Sequence, residues 1–450
     1  MKSSPLRLYI LAGVSLLAFA TPAMADSFTD ALVATYKGNP SIKAERDRQR
    51  ATDEEVAQAL SGFRPNAAAS YAKGRQRVAN AGSDWNYGDT ETKNLTVRQP
   101  LFRGGGTFSS YNSAKQRVRA GQQQLSGVEQ QVLQDAVTAY MDVVAATSIL
   151  ELSRNNEDVL AQQLKASNER FEVGEVTRTD VAQSEARLSV ARSQVISAEG
   201  RLISAIAAFE RVIGYKPEGL LEQPSEFPEI PATLEEALAQ ARAENTDLLA
   251  AVHLAKSSNY DVWTNKSALL PSVDLVGSMN RQKGVGFLGA NSEFDQDSVG
   301  VEVSIPLYQS GAEYSRVREA KNIARQRKYE VQDTRLIIEQ GVTSAWEQLE
   351  TAIATIRTRD EQIAAAEVAL EGVRQEQEYG ARTVLDVLDA EQELFNARTN
   401  LVQAQRDRVV AAFNLQRTLG RLTPTALDLP VEQYDPEEHY DDTKWLPIGF

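Results

Sequence analysis

The chain is one motif written twice. Sliding the sequence against itself by 206 residues aligns Asn39 with Asn245, Pro65 with Pro271, and Pro100-Leu101 with Pro306-Leu307, without a gap. The register holds through Gly105 and Gly311, Gly174 and Gly380, Thr177 and Thr383, Asp180-Val181 and Asp386-Val387, and Gly214 and Gly420. A period this long lies far above that of a solenoid unit, so each copy is a full structural half. The first half covers residues 26–216 and the second 233–423. A Pro-rich linker at 217–232 joins them, and an acidic tail at 424–450 follows.

Each half reads helix, strand, strand, very long helix, shorter helix. In the second half Ile338, Val342, Ala345, Leu349, Ala352, Ile356, Arg359, Ile363, Ala366, Leu370 and Val373 follow strict 4,3 spacing. Ten of these eleven positions are apolar, the pattern of a coiled-coil seam. Moved back by 206, the series runs from Val132 to Ser167 with eight of eleven apolar, so both halves keep the seam. The spacing predicts long helices over about 107–171 and 312–378, with shorter partners over about 179–213 and 383–419. The first long stretch has 65 residues without proline. At helical rise that is about 98 Å, more than a compact domain has room for. The two shorter helices of a half, Pro40 to Gly62 and Thr179 to Ile213, sum to about 87 Å and can stack along it.

The period changes from 3.5 to 2 between the short and long helices, over about 66–100 and 272–306. Val299, Val301, Val303 and Ile305 alternate with Ser298, Gly300, Glu302 and Ser304, as a strand with one apolar and one polar face requires. Asn80 to Asp89 and Lys283 to Asp295, rich in Gly, Asn, Asp and Ser, read as hairpin loops. Alternating strands of roughly ten residues joined by such loops are the signature of a transmembrane β-barrel contribution. Four strands cannot close a barrel, and open edges are excluded from lipid, so several copies of the chain have to share one.

Lys2 and Arg7, the apolar run Leu8 to Ala20 and Ala23-Met24-Ala25 predict a signal peptide over residues 1–25. Its removal leaves 48 − 2 = 46 basic against 62 acidic side chains, a net charge of 46 − 62 = −16. That balance excludes a nucleic-acid binder, which needs clustered cations. With no cysteine and two histidines the chain offers no disulfide framework, no thiol nucleophile and no multi-histidine metal site, and no cofactor is implied. No catalytic triad or carboxylate dyad is legible, so an enzyme is not expected. Gly104-Gly105-Gly106 lacks the Lys-Ser/Thr of a phosphate cradle and reads as a strand-to-helix turn.

A signal peptide, a duplicated half with paired strands, Gln99-Pro100-Leu101-Phe102 and Ile305-Pro306-Leu307-Tyr308 leading into long helices, and the turn Tyr379 to Asp389 together resemble the TolC family of outer-membrane channels. The resemblance spans nearly all of the mature chain. It implies a homotrimer in the outer membrane of a Gram-negative bacterium, with four strands per chain making a twelve-stranded barrel in outer-membrane lipid. The helices then form a hollow tunnel through the periplasm. It further implies passive export, with a periplasmic adaptor (membrane fusion) protein and an inner-membrane ABC or RND-type transporter as partners. Type I protein secretion and multidrug efflux both fit.

The turns at Gly174 and Gly380 join each long helix to its returning partner at the end farthest from the strands. Gly suits a helix end in the left-handed region, and Thr179, Asp180, Thr383 and Asp386 suit the start of the next helix as caps. The resemblance implies a second role, because in TolC-like channels this tip is the gated periplasmic entrance. By position, Asp386 and Asp389 match an acidic pair facing the pore, and their i, i+3 spacing puts both on one helix face. Three copies around a narrow axis raise one another's pKa and attract cations. Arg382 matches a residue linking to Thr179 and Asp180 of the facing tip. Gln377 stands where the family archetype has a tyrosine, which leaves the lock weaker or rearranged.

The tail from Val431 to Asp442 holds six acids and no base and reads as solvated and partly disordered. Trp85, Tyr87 and Phe287 either join an interfacial girdle or pack within loops. Two other classes compete: a periplasmic coiled-coil adaptor, and a structural coiled coil without a pore. The alternating strands have no role in the second, and the first carries one hairpin between compact β-domains rather than two hairpins between strand pairs.

Overall fold

The computed structural model describes residues 27–79, 85–224, 227–285 and 291–445. The expected signal peptide and Phe287 lie outside them. The first half comprises α1 (Phe28–Gly38), α2 (Pro40–Ser61), β1 (Asn66–Val78), β2 (Asn86–Arg103), α3 (Gly106–Glu172) and α4 (Arg178–Ile213). The second repeats it as α5 (Leu234–Glu244), α6 (Thr246–Ser267), β3 (Ser272–Val285), β4 (Asn291–Ser304), α7 (Ala312–Glu378) and α8 (Val384–Leu419), and α9 (Glu438–Thr443) lies in the tail. Both long helices have 67 residues, about 100 Å.

The coiled-coil seam is the buried stripe of α7. Ile338, Val342, Ala345, Leu349 and Leu370 are all buried, as are Val132, Ala136, Ala139, Val143, Leu150 and Leu160 on α3. Each long helix pairs with its shorter partner, α3 with α4 and α7 with α8, while α3 also lies against α6 and α8. The main core sits at mid-length. Leu133, Tyr140 and Met141 of α3 meet Phe209 and Ile213 of α4, Phe413 of α8 and Leu32 of α1 there. Phe28 stands edge-on to both Tyr140 at 5.2 Å and Phe413 at 5.4 Å.

The sequence predicts a single helix before each strand pair, whereas the structure has two, with α1 and α5 in addition. The break between the two is set by one asparagine per half. Asn39 leaves the helical region at φ −62°, ψ 126°, accepts from the Ser41 amide at 2.8 Å, and donates from its side chain to the Val212 carbonyl at 2.8 Å. Asn245 repeats this, accepting from Asp247 and donating to the Thr418 carbonyl at 2.8 Å. An 11-residue helix stopped by such a cap shows too few turns to register as a period. Gly420 closes α8 at φ +88°, and a Cβ there would stand 2.3 Å from the Glu244 carbonyl oxygen, so the close approach of α5 requires glycine.

The four strands form one antiparallel sheet in the order β1-β2-β3-β4. They run 13 to 18 residues, longer than the expected ten, and pairing continues into the segments read as loops. Val78 pairs with Asn86, and Val285 with Asn291, so the hairpin connections are short. Cross-strand ion pairs carry these polar ends, Arg75–Asp89 at 3.1 Å and Lys283–Glu293 at 2.6 Å, and apolar alternation does not register them.

The tail is not a solvated extension. Leu422 and Leu429 are buried in the main core, and the chain then climbs along α2. The Tyr434 ring receives Arg46 at 4.7 Å and Arg50 at 5.7 Å, and the buried Asp53 carboxylate faces His439 Nδ1 at 3.2 Å. Tyr440 packs on Val56, Leu60, Ala114 and Val118, and burial pushes its hydroxyl up to about 12, with Tyr111 adding to the shift. The aromatic residues between the acids seat the segment, and charge counting alone does not weigh them.

Candidate functional site

Two regions answer to the residues singled out in the sequence: the helix tips and the sheet. At the first tip α3 ends before Gly174, at φ +82°, and α4 begins; at the second α7 ends before Gly380, at φ +76°, and α8 begins. The cap of α4 is Thr177, not Thr179. The Thr177 hydroxyl accepts from the Asp180 amide at 3.3 Å and Asp180 accepts from the Thr177 amide at 2.8 Å, a reciprocal capping box. Thr179 falls inside the first turn. Thr383 and Asp386 build the same box on α8, at 3.3 and 2.9 Å. The repeat alignment pairs Thr177 with Thr383, so it carried this answer.

Asp386 is therefore engaged locally. The Thr383 amide and then its hydroxyl hold the Asp386 carboxyl below the usual aspartate range. Within one chain this is opposite to the rise expected from a ring of like charges. Asp389, a turn further on, makes an ion pair with Arg187 of α4 and so ties the two hairpins together. Val384 and Leu388 pack on Leu160, Leu188 and Ala191 beside it. Arg382 does not reach Thr179 or Asp180 of its own chain: its Nε donates to Glu376 Oε2 at 2.8 Å. Gln377 is half-buried in the last turn of α7, where its carbonyl accepts from the Gly380 amide at 3.0 Å. Arg187 and Glu376 escaped the sequence reading because neither carries a local pattern; each is an ordinary charge on a helix surface.

The sheet is two-faced. Cross-strand register puts Ala69, Leu95 and Met279 in one row that ends on Asp297, Ala67, Val97, Gly277 and Val299 in the next, and Leu275 with Val301 and Gln99 beyond. This apolar face points away from the chain, with Val299 81% exposed. From Val273 to Met279 it spans about 20 Å, near the height of a membrane band. The other face carries Thr96, Ser278 and Ser298, and an ion cluster in which Arg98 meets Asp274 and Glu302, both at 3.1 Å, while Arg103 meets Asp274 at 3.2 Å. Trp85 and Tyr87 stand exposed at the far end of the first hairpin, with Arg77 over the Trp85 ring at 4.4 Å. At the helix end Leu101, Phe102, Phe108, Leu307 and Tyr308 are exposed apolar side chains. Among the described residues β1 and β4 each leave one edge unpaired.

Comparison with known proteins agrees with this geometry. The family model described as outer membrane efflux protein matches residues 32–215 and 237–421, one block per structural half. The outer membrane efflux protein BepC of Brucella suis biovar 1 is 35% identical over 422 residues, covering 94% of this chain and 91% of its own. The alkaline protease secretion protein AprF of Pseudomonas aeruginosa is 26% identical over 432 residues, covering 93% and 89%. Among solved structures, the Campylobacter jejuni CmeC outer membrane channel superposes with a TM-score of 0.78 over 98% of both chains at 16% identity, a likeness of fold.

Proposed function

The chain belongs to the outer membrane efflux protein family, and we propose that three copies close one twelve-stranded barrel and one helical tunnel, giving passive exit across periplasm and outer membrane. The family is one of outer-membrane channels and not of enzymes, and the adaptor and scaffold readings fall with that assignment. The observation that carries the trimer is the sheet: four amphipathic strands with two free edges and an outward apolar face. In lipid every unpaired backbone group costs several kcal/mol, so the edges have to be closed by neighbouring copies. Helices of about 100 Å then continue each chain away from the membrane.

In this reading an inner-membrane pump of ABC or RND type and a periplasmic adaptor dock on the tunnel and deliver substrate to its tip. The relatives' names, efflux for one and protease secretion for another, support both cargo classes. The tips around Gly174 and Gly380 form the entrance. Asp389, with Asp386 behind it, supplies the acidic ring, and Arg382 with Glu376 braces the turn. Arg382 also reaches Thr179 and Asp180 of a neighbouring copy in this reading.

The test is detergent-extracted protein in a planar bilayer, with stoichiometry read by native mass. A trimer giving discrete, cation-preferring steps is expected. A pore-free monomer or dimer overturns the proposal.

A further inference from the structure

The duplication leaves one surface without its counterpart. In the first half the tail covers the groove between α2 and α3, touching Arg46, Arg50, Asp53, Val56 and Val118. Adding 206 carries these onto Val252, Lys256, Asn259, Val262 and Ala324, which line an open groove of about 740 Å³ between α6 and α7. The halves stand side by side in one sheet with the same strand directions, so this is the same face of the second half. Each chain thus has two equivalent grooves and one tail.

The open groove has the chemistry of a site for something acidic. Lys256, Lys321, Arg325, Lys328 and Arg335 line it, no carboxylate does, and among the described residues none of the five makes an ion pair. This is notable in a chain of formal net charge −14. The net divergence from the filled groove is toward positive charge: Asp53 has become Asn259, Gln122 has become Lys328 and Glu129 has become Arg335, against one cation lost where Arg46 has become Val252. Val252, Val262 and Val331 form an apolar floor, as Val56 and Val118 do under Tyr440. Cations above an apolar floor suit acids interleaved with aromatic rings.

We propose that the α6–α7 groove docks an acidic, aromatic-bearing peptide segment of another periplasmic polypeptide, held as the chain's own tail is held in the α2–α3 groove. The site does not depend on conduction and is independent of the channel reading.

The probe is a fluorescent synthetic peptide with the sequence of residues 431–445, titrated by anisotropy against the full-length detergent-extracted protein. Saturable binding at one peptide per chain is expected. Lys328→Glu with Arg335→Glu should weaken it at least tenfold, while the distant Arg357→Glu leaves it unchanged. The same peptide with both tyrosines replaced by alanine should also bind at least tenfold more weakly. Absence of saturable binding, equal loss in the distant variant, or equal affinity for polyglutamate overturns the proposal. Because the chain has no cysteine, a Gln332→Cys, Glu438→Cys protein tests the rival occupant. An efficient disulfide between copies would place a neighbour's tail in the groove and exclude an external partner.

Discussion

Arg187 and Asp389 join the two hairpins of one chain at the tips, and breaking that pair separates two readings of Asp389. In one, Asp389 is a lock between hairpins; in the other it is a charge lining the pore. The side chains are 35% and 56% exposed, so the pair has the strength of a surface ion pair, about 0.5 kcal/mol. Three copies in a trimer sum to about 1.5 kcal/mol, which shifts a closed-to-open equilibrium by about tenfold. The substitutions are Arg187→Gln, Asp389→Asn and the swap Arg187→Asp with Asp389→Arg, and the assay is open probability and ion selectivity of single channels. The lock predicts that both single variants raise open probability about tenfold and that the swap restores it. High salt should shrink the difference, because exposed pairs are screened. The pore-charge reading predicts opposite selectivity changes, Arg187→Gln strengthening cation preference and Asp389→Asn weakening it. Unchanged open probability in both single variants would refute the lock.

Further outcomes follow from the same structure. Phe413→Ala empties a site that is 2% exposed and edge-on to Phe28, and should cost about 3–5 kcal/mol in denaturant unfolding. Val368→Ala, 76% exposed on α7, should stay within about 0.5 kcal/mol. At the tip, the Asp386 carboxyl titrates lower in the folded chain than in the unfolded one, so its contribution is present above the ordinary aspartate pKa of about 3.9 and is lost as pH falls through the lower folded value. Hydrogen exchange at 384–387, corrected for intrinsic rates, should therefore hold steady from pH 7 to about 5 and accelerate below about 4. Asp386→Asn should abolish that step.

What was legible in the sequence follows from the range of the interactions involved. The seam from Ile338 to Val373 is a periodic signal repeated over 36 residues, and the Val299 to Ile305 alternation is a second one, of the kind a strand with one apolar face requires. Short-range or long-range features left no such trace. Asn39 stops α1 through one bond to its own turn and one to Val212, 173 residues away. His439 meets Asp53 across 386 residues, and Arg187 meets Asp389 across 202. Pairings of this kind are decided by packing, and a single sequence records only their charges.

The duplication recovers part of what periodicity misses, because it separates residues that build a half from residues that distinguish the halves. Where the copies agree, as at Asn39 and Asn245, Gly214 and Gly420, or Thr177 and Thr383, the structure repeats the same hydrogen bonds or backbone turn. Where they disagree on one surface, the halves face different surroundings: Glu129 bonds Arg46 beneath Tyr434, while Arg335 and Val252 stand in an open basic groove. In the proposed trimer, six equivalent halves around one axis need agreement at the first kind of position for closure. The second kind is free of that constraint, so the differences between the copies are where a six-fold tube can acquire three-fold binding surfaces.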